Sequence, residues 1–215
     1  EGEEGDQSNP YAGGDKQDLR LPGLQHDVIR TICQSGKPVV LVLLAGSALD
    51  LSWEHEHEQA IVQGWYPGAR GGRAVAELLF GEYAPEGRLP VTFYRSTDDL
   101  PDFTDYRMQG KTYRYLQSEP LYPFGYGLSY TTFDVEAAAA SDVMTDCGAT
   151  LTVRVRNTGH YAATDTVQIY VRPDRSTVPH PQLKKVEKVS LRPGEEKTIH
   201  ITLPLSAFAL YDQTG

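Results

Sequence analysis

Residues 122–133 read YPFGYGLSYTTF, and this stretch separates two parts of the chain that have different sequence patterns. Five aromatic side chains and two glycines lie within it. Glycines beside large rings allow tight turns, and the faces of those rings can then be buried against the parts of the chain on both sides. The stretch is therefore predicted to be an aromatic-rich packed linker. The sequence before it alternates predicted helices and strands, and the sequence after it predicts strands only. We therefore expect two architectures that meet at this point.

The part before the linker is predicted to be an α/β layer. A helix should follow Pro22, because apolar residues recur with helical spacing until Gly36. The unbroken run VVLVLL at 39–44 predicts a strand covered on both faces, as in a parallel sheet. Three further predicted elements follow in chain order: a strand at 60–65, a helix at 74–80 and an edge strand at 89–93. This alternation predicts a parallel-sheet α/β sandwich, and it is partial because three strands are too few for a complete one.

The part after the linker has the periodicity of strands. Apolar and polar residues alternate in 151–156, 167–171 and 199–203, and Asn-Thr-Gly at 157–159 and Arg-Pro-Gly at 192–194 are turn signals. Short strands separated by such turns are typical of an all-β, immunoglobulin-like sandwich. The predicted fold class is therefore α/β followed by an all-β sandwich.

Composition argues against two classes of partner. The chain has 215 residues and a net charge of −9, and its 20 basic residues form no long run, so no nucleic-acid partner is expected. The longest apolar stretch, 38–45, is far shorter than the roughly 20 residues that span a bilayer, so no membrane partner is expected either. The chain opens with Glu1 rather than Met, which predicts an internal piece of a longer gene product.

Three features that often mark metal, disulfide or nucleotide sites are interpreted here as structural. Cys33 and Cys147 fall in different predicted domains, so buried free thiols are expected rather than a disulfide. The stretch EHEHE at 54–58 has histidines two residues apart, whereas the helical zinc pattern needs a spacing of four, so an exposed polar helix start or loop is expected. The glycine-rich stretch 68–72 lacks the Gly-Lys-Ser/Thr ending of a phosphate loop. No metal site is predicted.

The linker and its surroundings resemble the domain junction of glycoside hydrolase family 3, the β-glucosidases and β-xylosidases. The residues that carry the resemblance are 122–133 together with Met108, Gly110, Thr112, Tyr113, Arg114, Tyr115, Pro120 and Leu121. Residues 64–93 also resemble that family, and the turns at 157–159 and 191–195 resemble its fibronectin type III-like domain. The resemblance implies three regions: residues 1–106 as the later half of the family's C-terminal α/β sandwich domain, 107–133 as an aromatic junction, and 134–215 as a truncated fibronectin type III-like domain.

The acidic opening resembles the family segment that carries the catalytic acid/base. The residues that match are Glu1-Gly2-Glu3-Glu4-Gly5-Asp6, Gly14-Asp15-Lys16 and Leu21-Pro22-Gly23. Gly2-Glu3 falls on the family's Gly-Glu pair, which implies Glu3 as the general acid/base, with Glu4 as the alternative and Glu1 third. Lys16 stands where the family commonly has Arg. Without the resemblance, this charge run would be interpreted as a solvated acidic end.

A retaining glycosidase needs a carboxylate nucleophile and a second carboxyl group about 5 to 5.5 Å from it. In the family the nucleophile is an aspartate on a preceding (β/α) barrel, and nothing in this chain codes for a barrel. The resemblance therefore implies that this chain supplies the acid/base of an exo-acting β-glycosidase for terminal glucosyl or xylosyl residues, without a cofactor. Its expected partners are a β-linked glycoside and the barrel portion, in the same polypeptide or a second chain. The chain alone is expected to be inactive.

Two alternatives stay open at this stage. The chain could be a non-catalytic carbohydrate-binding or adhesion module, which has no need of a glutamate placed to titrate. Trp65 and Tyr66 lie at the end of the second predicted strand, at the sheet edge where ligands tend to lie, and could stack on a sugar or pack in the core. Neither the compartment nor the choice between glucosides and xylosides follows from the residues.

Overall fold

The computed structural model describes residues 18–102, 104–140, 148–172 and 180–209. The chain forms two compact units, of which the first comprises the described residues within Glu1–Leu79 and Leu89–Phe124. The second comprises Phe80–Arg88 and the described residues within Gly125–Gly215. No helix of the described ranges combines the length and the apolar character that a bilayer crossing requires.

The first unit is an α/β layer built on a pair of parallel strands. Its elements are α1 (Gln25–Cys33), β1 (Val40–Leu43), α2 (Ser52–His57), β2 (Ala60–Gln63), α3 (Gly71–Leu79), a 3-10 turn (Thr97–Asp99) and α4 (Thr112–Tyr115). The register places Val40 opposite Ala60 and Leu43 opposite Gln63. The predicted parallel pairing of the first two strands is confirmed.

The third predicted strand, at 89–93, is wrong. Within the described residues this segment makes only an isolated antiparallel bridge between Phe93 and Tyr122. The Phe93 N–H donates to the Tyr122 carbonyl at 2.9 Å, and the Leu121 N–H donates to the Phe93 carbonyl at 2.9 Å. A longer ladder does not form because Pro90 has no N–H to donate.

Helix α1 and strand β1 are more exposed than their apolar sequences predict. Leu24, Val28 and Ile32 are spaced by four residues along one face around α1, and they are 74%, 54% and 49% exposed. In β1 only Leu43 is buried, and Val40 is 44% exposed, so the expectation of a strand covered on both faces is wrong for the described residues. The buried core of the unit consists of Leu21, Leu43, Leu49, Leu51, Phe93 and Leu121.

The second unit consists of two antiparallel sheets that share one apolar core. Its strands are β3 (Phe133–Ala140), β4 (Ala149–Asn157), β5 (Ala163–Val171), β6 (Gln182–Leu191) and β7 (Glu196–Leu203). One sheet has the order β3-β4-β7 and the other pairs β5 with β6. The core consists of Val153, Val155, Val167, Ile169, Val189, Leu191, Ile201 and Leu203. The predicted change from an α/β part to a β part is confirmed, whereas the sequence patterns did not predict β3 or β6.

A buried asparagine closes the turn after β4. The Asn157 side chain is fully buried, and its amide donates to the carbonyls of Tyr161 at 2.7 Å and Leu191 at 3.2 Å. Its oxygen accepts from the Thr131 hydroxyl at 2.7 Å and from the Gly159 N–H at 3.1 Å. Because all its hydrogen-bonding atoms are paired, this polar residue can lie in the core and join three parts of the unit.

The two glycines of residues 122–133 are required because neighbouring parts of the second unit approach their backbone closely. Gly125 has φ +82°, in the left-handed region that glycine adopts without strain, and its carbonyl accepts from the Gln168 amide at 2.8 Å. A Cβ at Gly127 would lie 2.5 Å from the Gly87 carbonyl oxygen. The predicted role of these glycines in tight packing is confirmed.

The segment Phe80–Arg88 is bound to the second unit by charged side chains. A guanidinium nitrogen of Arg88 lies 2.8 Å from the carboxylate of Asp165, which is 7% exposed, and another donates to the Gly127 carbonyl. Nearby, Lys188 lies 2.7 Å from the carboxylate of Glu86, and this hydrogen bond holds the Glu86 pKa below its ordinary value. These contacts explain why a segment that follows α3 belongs to the second unit.

Candidate functional site

The carboxyl ends of β1 and β2 are held together by a glutamine. Gln63, the last residue of β2, donates from its amide nitrogen to the Ala45 carbonyl at 2.6 Å. Its amide oxygen is buried and has no hydrogen-bond partner among the described residues. Gly64 follows, and its N–H donates to the Leu43 carbonyl at 2.7 Å. Ligands tend to bind at this edge of a parallel sheet, so the loops at the carboxyl ends of β1 and β2 are candidates for a binding site.

The two aromatic residues that follow β2 have different environments. Trp65 has φ +51°, a left-handed conformation that is uncommon for a residue with a side chain, and it packs against the core of the first unit. Tyr66 is 72% exposed. The core-packing alternative therefore holds for Trp65, and only the Tyr66 ring is widely accessible to solvent.

An open cleft of about 980 Å³ lies beside the loop that follows β1. Four stretches of the first unit line it, residues 18–19, 46–48, 90–92 and 112–114, and Tyr94, Thr97, Leu100, Pro101, Met108 and Phe124 complete the lining. The volume is at the upper end of the range of about 300 to 1,000 Å³ that is usual for small-molecule sites.

The polar groups of the cleft include a buried hydroxyl and a strained residue. Thr92 is 6% exposed, and its hydroxyl has no hydrogen-bond partner among the described residues. Thr112 has φ +56°, and its N–H donates to the Tyr94 hydroxyl at 3.1 Å. Sequence patterns did not indicate Thr92 as a site residue, because its only signal is a hydroxyl residue within an otherwise apolar segment.

One wall of the cleft is aromatic. The rings of Tyr113 and Phe124 stack at 4.2 Å with an interplanar angle of 15°. The guanidinium of Arg114 lies 5.9 Å from the centre of the Tyr113 ring. Arg114 is exposed and lines the cleft, so its guanidinium can donate hydrogen bonds to a ligand.

A buried carboxylate joins α1 and α2. Glu54 is 1% exposed, and its oxygen lies 2.6 Å from Nδ1 of His26. The ring of Trp53 stacks on His57 at 4.0 Å, and the Arg30 guanidinium lies 5.1 Å from the Trp53 ring centre. The stretch 54–58 does begin in a helix, as expected, but the expectation of exposure is wrong for Glu54 because α2 directs this residue towards α1.

The histidines of α2 point to separate partners. Nδ1 of His55 lies 2.8 Å from the Tyr122 hydroxyl, and Nδ1 of His57 lies 2.7 Å from the Trp53 carbonyl. Across the described ranges, no group of three or more His, Cys, Asp or Glu side chains is placed to hold a metal ion. The residues of this stretch therefore serve packing and hydrogen bonding.

The cysteine of α1 is a free thiol. The sulfur of Cys33 donates to a carboxylate oxygen of Glu58 at 3.3 Å. Burial, the hydrogen bond to Glu58 and the nearby Glu54 carboxylate raise the Cys33 pKa, so the thiol stays protonated. It is half-buried rather than fully buried as expected. Cys147 lies outside the described residues, as do the predicted acid/base residue Glu3, its alternative Glu4 and Glu1.

Two family profiles match the chain. The profile of the glycosyl hydrolase family 3 C-terminal domain matches residues 1–130. The profile of the fibronectin type III-like domain matches residues 165–215. The two matches follow the order of the two architectures, α/β and then β.

Relatives and solved structures agree with these profiles. A xylan 1,4-beta-xylosidase of Xylanibacter ruminicola is 40% identical over 94% of this chain, and a periplasmic beta-glucosidase of Salmonella typhimurium is 35% identical over 96%. The chain covers 24% and 29% of their lengths. The crystal structure of a beta-glucosidase from Kluyveromyces marxianus has a TM-score of 0.81 and 33% identity, and the match covers 91% of this chain and 25% of that one. The chain therefore belongs to glycosyl hydrolase family 3 and spans about a quarter of the length of the relatives it matches.

Proposed function

We propose that this chain supplies the general acid/base of a retaining, exo-acting β-glycosidase that removes terminal β-D-glucosyl or β-D-xylosyl residues. Glu3 is the proposed acid/base, and Glu4 is the alternative. The observation that carries the proposal is the family match over residues 1–130, together with relatives named as β-xylosidases and β-glucosidases along most of the chain.

The chemistry explains why a glutamate is needed at such a position. The acid/base must protonate the oxygen of the departing sugar and then take a proton from the attacking water. A carboxyl group can do both when its surroundings adjust its pKa between the two steps. The Gly2-Glu3 pair supports the choice of Glu3, because it falls on the Gly-Glu pair of the family segment.

The proposal places the nucleophile in a further portion of the enzyme, a (β/α) barrel in the same polypeptide or in a second chain. The coverage of 24% and 29% of two relatives supports a longer enzyme. The exposed face formed by Leu24, Val28 and Ile32 also supports it, because a soluble helix normally buries such a stripe against a neighbouring element. On this proposal the 215-residue chain alone does not hydrolyse glycosides.

The experiment compares the barrel-containing parent protein with its Glu3→Gln and Glu4→Gln variants. Aryl β-glucosides and β-xylosides with good and poor leaving groups are the substrates. The Glu3→Gln variant should lose at least about a hundredfold in kcat/KM on poor leaving groups, because they need protonation, and should retain activity on activated ones. Added azide should restore turnover by replacing water at the glycosyl-enzyme.

The Glu4→Gln variant is the matched control, since it removes one charge at the neighbouring position. Loss of activity in Glu4→Gln alone would move the role to Glu4. Wild-type behaviour of both variants and of Glu1→Gln would contradict the proposal and favour a non-catalytic carbohydrate-binding or adhesion module.

A further inference from the structure

We propose that the cleft of the first unit is a binding site for a neutral saccharide, formed by the Tyr113–Phe124 ring pair, Arg114 and Thr92. The proposed function assigns no role to any of these residues. The inference rests on that function only for the choice of saccharide probes, because its structural basis lies entirely within the first unit. Three observations carry it.

The first observation is the unpaired hydroxyl of Thr92. This residue lines the cleft and is 6% exposed, yet its hydroxyl has no partner among the described residues. A buried hydroxyl without a hydrogen bond is unfavourable, and such groups are uncommon in folded proteins. A ligand hydroxyl could act as donor or acceptor to it. Of the four buried unpaired side-chain atoms in the described ranges, this one belongs to a residue that lines the cleft.

The second observation is the strained backbone of Thr112. Its φ of +56° is unfavourable for a β-branched residue, and it is held there by the Tyr94 hydroxyl, which accepts from its N–H at 3.1 Å. Its own hydroxyl accepts from the Arg114 N–H at 3.3 Å. Strain of this kind persists where the surroundings fix it, and it is concentrated at ligand sites. The next two residues of the chain, Tyr113 and Arg114, line the cleft.

The third observation is the chemistry of the lining. A sugar ring has an apolar C–H face and a rim of hydroxyls, so its binding requires aromatic surface beside polar donors and acceptors. The stacked rings of Tyr113 and Phe124 provide that surface, and the guanidinium of Arg114 provides donors. The other charged group in the lining is the carboxylate of Asp18. One positive and one negative charge favour a neutral ligand over a phosphate or an acidic sugar.

Equilibrium binding tests this site in the barrel-containing parent protein. The catalytic site is saturated with isofagomine, a compound found bound in the beta-glucosidase of Listeria innocua, and saturation is verified by complete loss of aryl glycoside hydrolysis. Xylobiose and cellobiose are then titrated by calorimetry. Wild type should still show saturable binding of at least one of these disaccharides. A protein without hydrolytic activity would be titrated without the inhibitor, so failure of the proposed function leaves this test intact.

Three variants separate binding from folding. Arg114→Gln and Tyr113→Ala should each weaken disaccharide binding by about tenfold. Thr92→Val keeps the shape of the side chain and removes the unpaired hydroxyl, so it should weaken binding without lowering the melting temperature. Tyr106→Ala is the control, because Tyr106 is 87% exposed and does not line the cleft, and it should bind as wild type.

Absence of saccharide binding in the saturated wild type would overturn the inference. So would wild-type affinity in Arg114→Gln and Thr92→Val, two variants that remove donors and leave the aromatic packing intact. Equal weakening in the Tyr106→Ala control would point to a general effect on the protein, and it would also overturn the assignment of this cleft.

Discussion

The two units of this chain differ in how completely their buried polar side chains are hydrogen-bonded. In the second unit, the alternating apolar residues meet in one core and Asn157 pairs all its side-chain hydrogen-bonding atoms. In the first unit, a stripe of α1 is exposed and three of the four buried unpaired side-chain atoms of the described residues are found there: Glu58 Oε2, Gln63 Oε1 and Thr92 Oγ1. Among the described residues, buried polar side chains are thus hydrogen-bonded more completely in the second unit than in the first.

The largest expected effect is on the stability of the second unit. Asn157→Ala should lower the free energy of unfolding of the second unit by about 3 to 4 kcal/mol, because it leaves the Thr131 hydroxyl and two carbonyls unpaired in the core. Hydrogen exchange of β4 and β6 in the parent protein measures it. Thr158→Ala, at the exposed next position, is the control. A loss of unfolding free energy below about 1 kcal/mol would show that the stability of the second unit does not depend on the Asn157 hydrogen bonds.

A slightly smaller effect is expected where Phe80–Arg88 joins the second unit. Arg88→Met should cost about 2 to 3 kcal/mol, since it leaves the carboxylate of Asp165 buried and unpaired. The double variant Arg88→Met/Asp165→Asn should recover part of the loss, because it removes the stranded charge. Urea unfolding of the parent protein compares the three. If the single and double variants were equally destabilised, the ion pair would not be the cause.

A smaller effect on stability is expected for a substitution in the exposed apolar stripe of the first unit. Leu24 is 74% exposed, so Leu24→Ala should be nearly neutral if the stripe faces water. If a further part of the enzyme covers it, as proposed, the substitution should cost about 1 to 2 kcal/mol in the parent protein. Thermal unfolding with Arg20→Ala as an exposed control distinguishes the two. A neutral Leu24→Ala would contradict the view that this face is buried in the whole enzyme.

The smallest effect is a pH dependence in the second unit. The hydrogen bond from Lys188 lowers the Glu86 pKa below its ordinary value of 4.5. A lowered pKa in the folded state contributes stability that is fully present above about pH 4.5 and is lost as the pH falls through the folded-state value. Both side chains are largely exposed, so the contribution should be only a few tenths of a kcal/mol.

The Lys188→Met variant isolates this contribution. The difference in unfolding free energy between wild type and Lys188→Met should be present at pH 7 and shrink towards zero at pH 3. Lys197→Met, in strand β7 of the other sheet, provides a comparison with a different carboxylate partner, Glu195. A difference that grows as the pH falls would contradict the predicted loss of the Lys188–Glu86 contribution at low pH.

The sequence predicted the features that depend on local periodicity. The parallel pair β1–β2, the helices α1 and α3 and the strands β4, β5 and β7 all follow from the spacing of neighbouring apolar residues. The lysine-rich centre of β6 obscures that alternation, which explains why this strand was not predicted.

The features that were missed depend on partners distant in sequence. The strand predicted at 89–93 reduces to one bridge, and the partner in that bridge, Tyr122, is distant in the chain. The burial of Glu54 requires His26 from α1, and the cleft combines residues from 18 to 124. No local pattern specifies these contacts. The assignment of Glu3 depends on the family resemblance alone, since a charge run by itself indicates only a solvated surface.

The most direct test of the central claim is the dependence of kcat/KM on leaving-group pKa for the parent protein and its Glu3→Gln variant. If Glu3 donates the proton, wild type should depend weakly on the leaving group, because protonation compensates for a poor one, and the variant should fall steeply as the leaving group worsens. Parallel, equally shallow dependences in the two proteins would contradict the claim that this chain supplies the acid through Glu3.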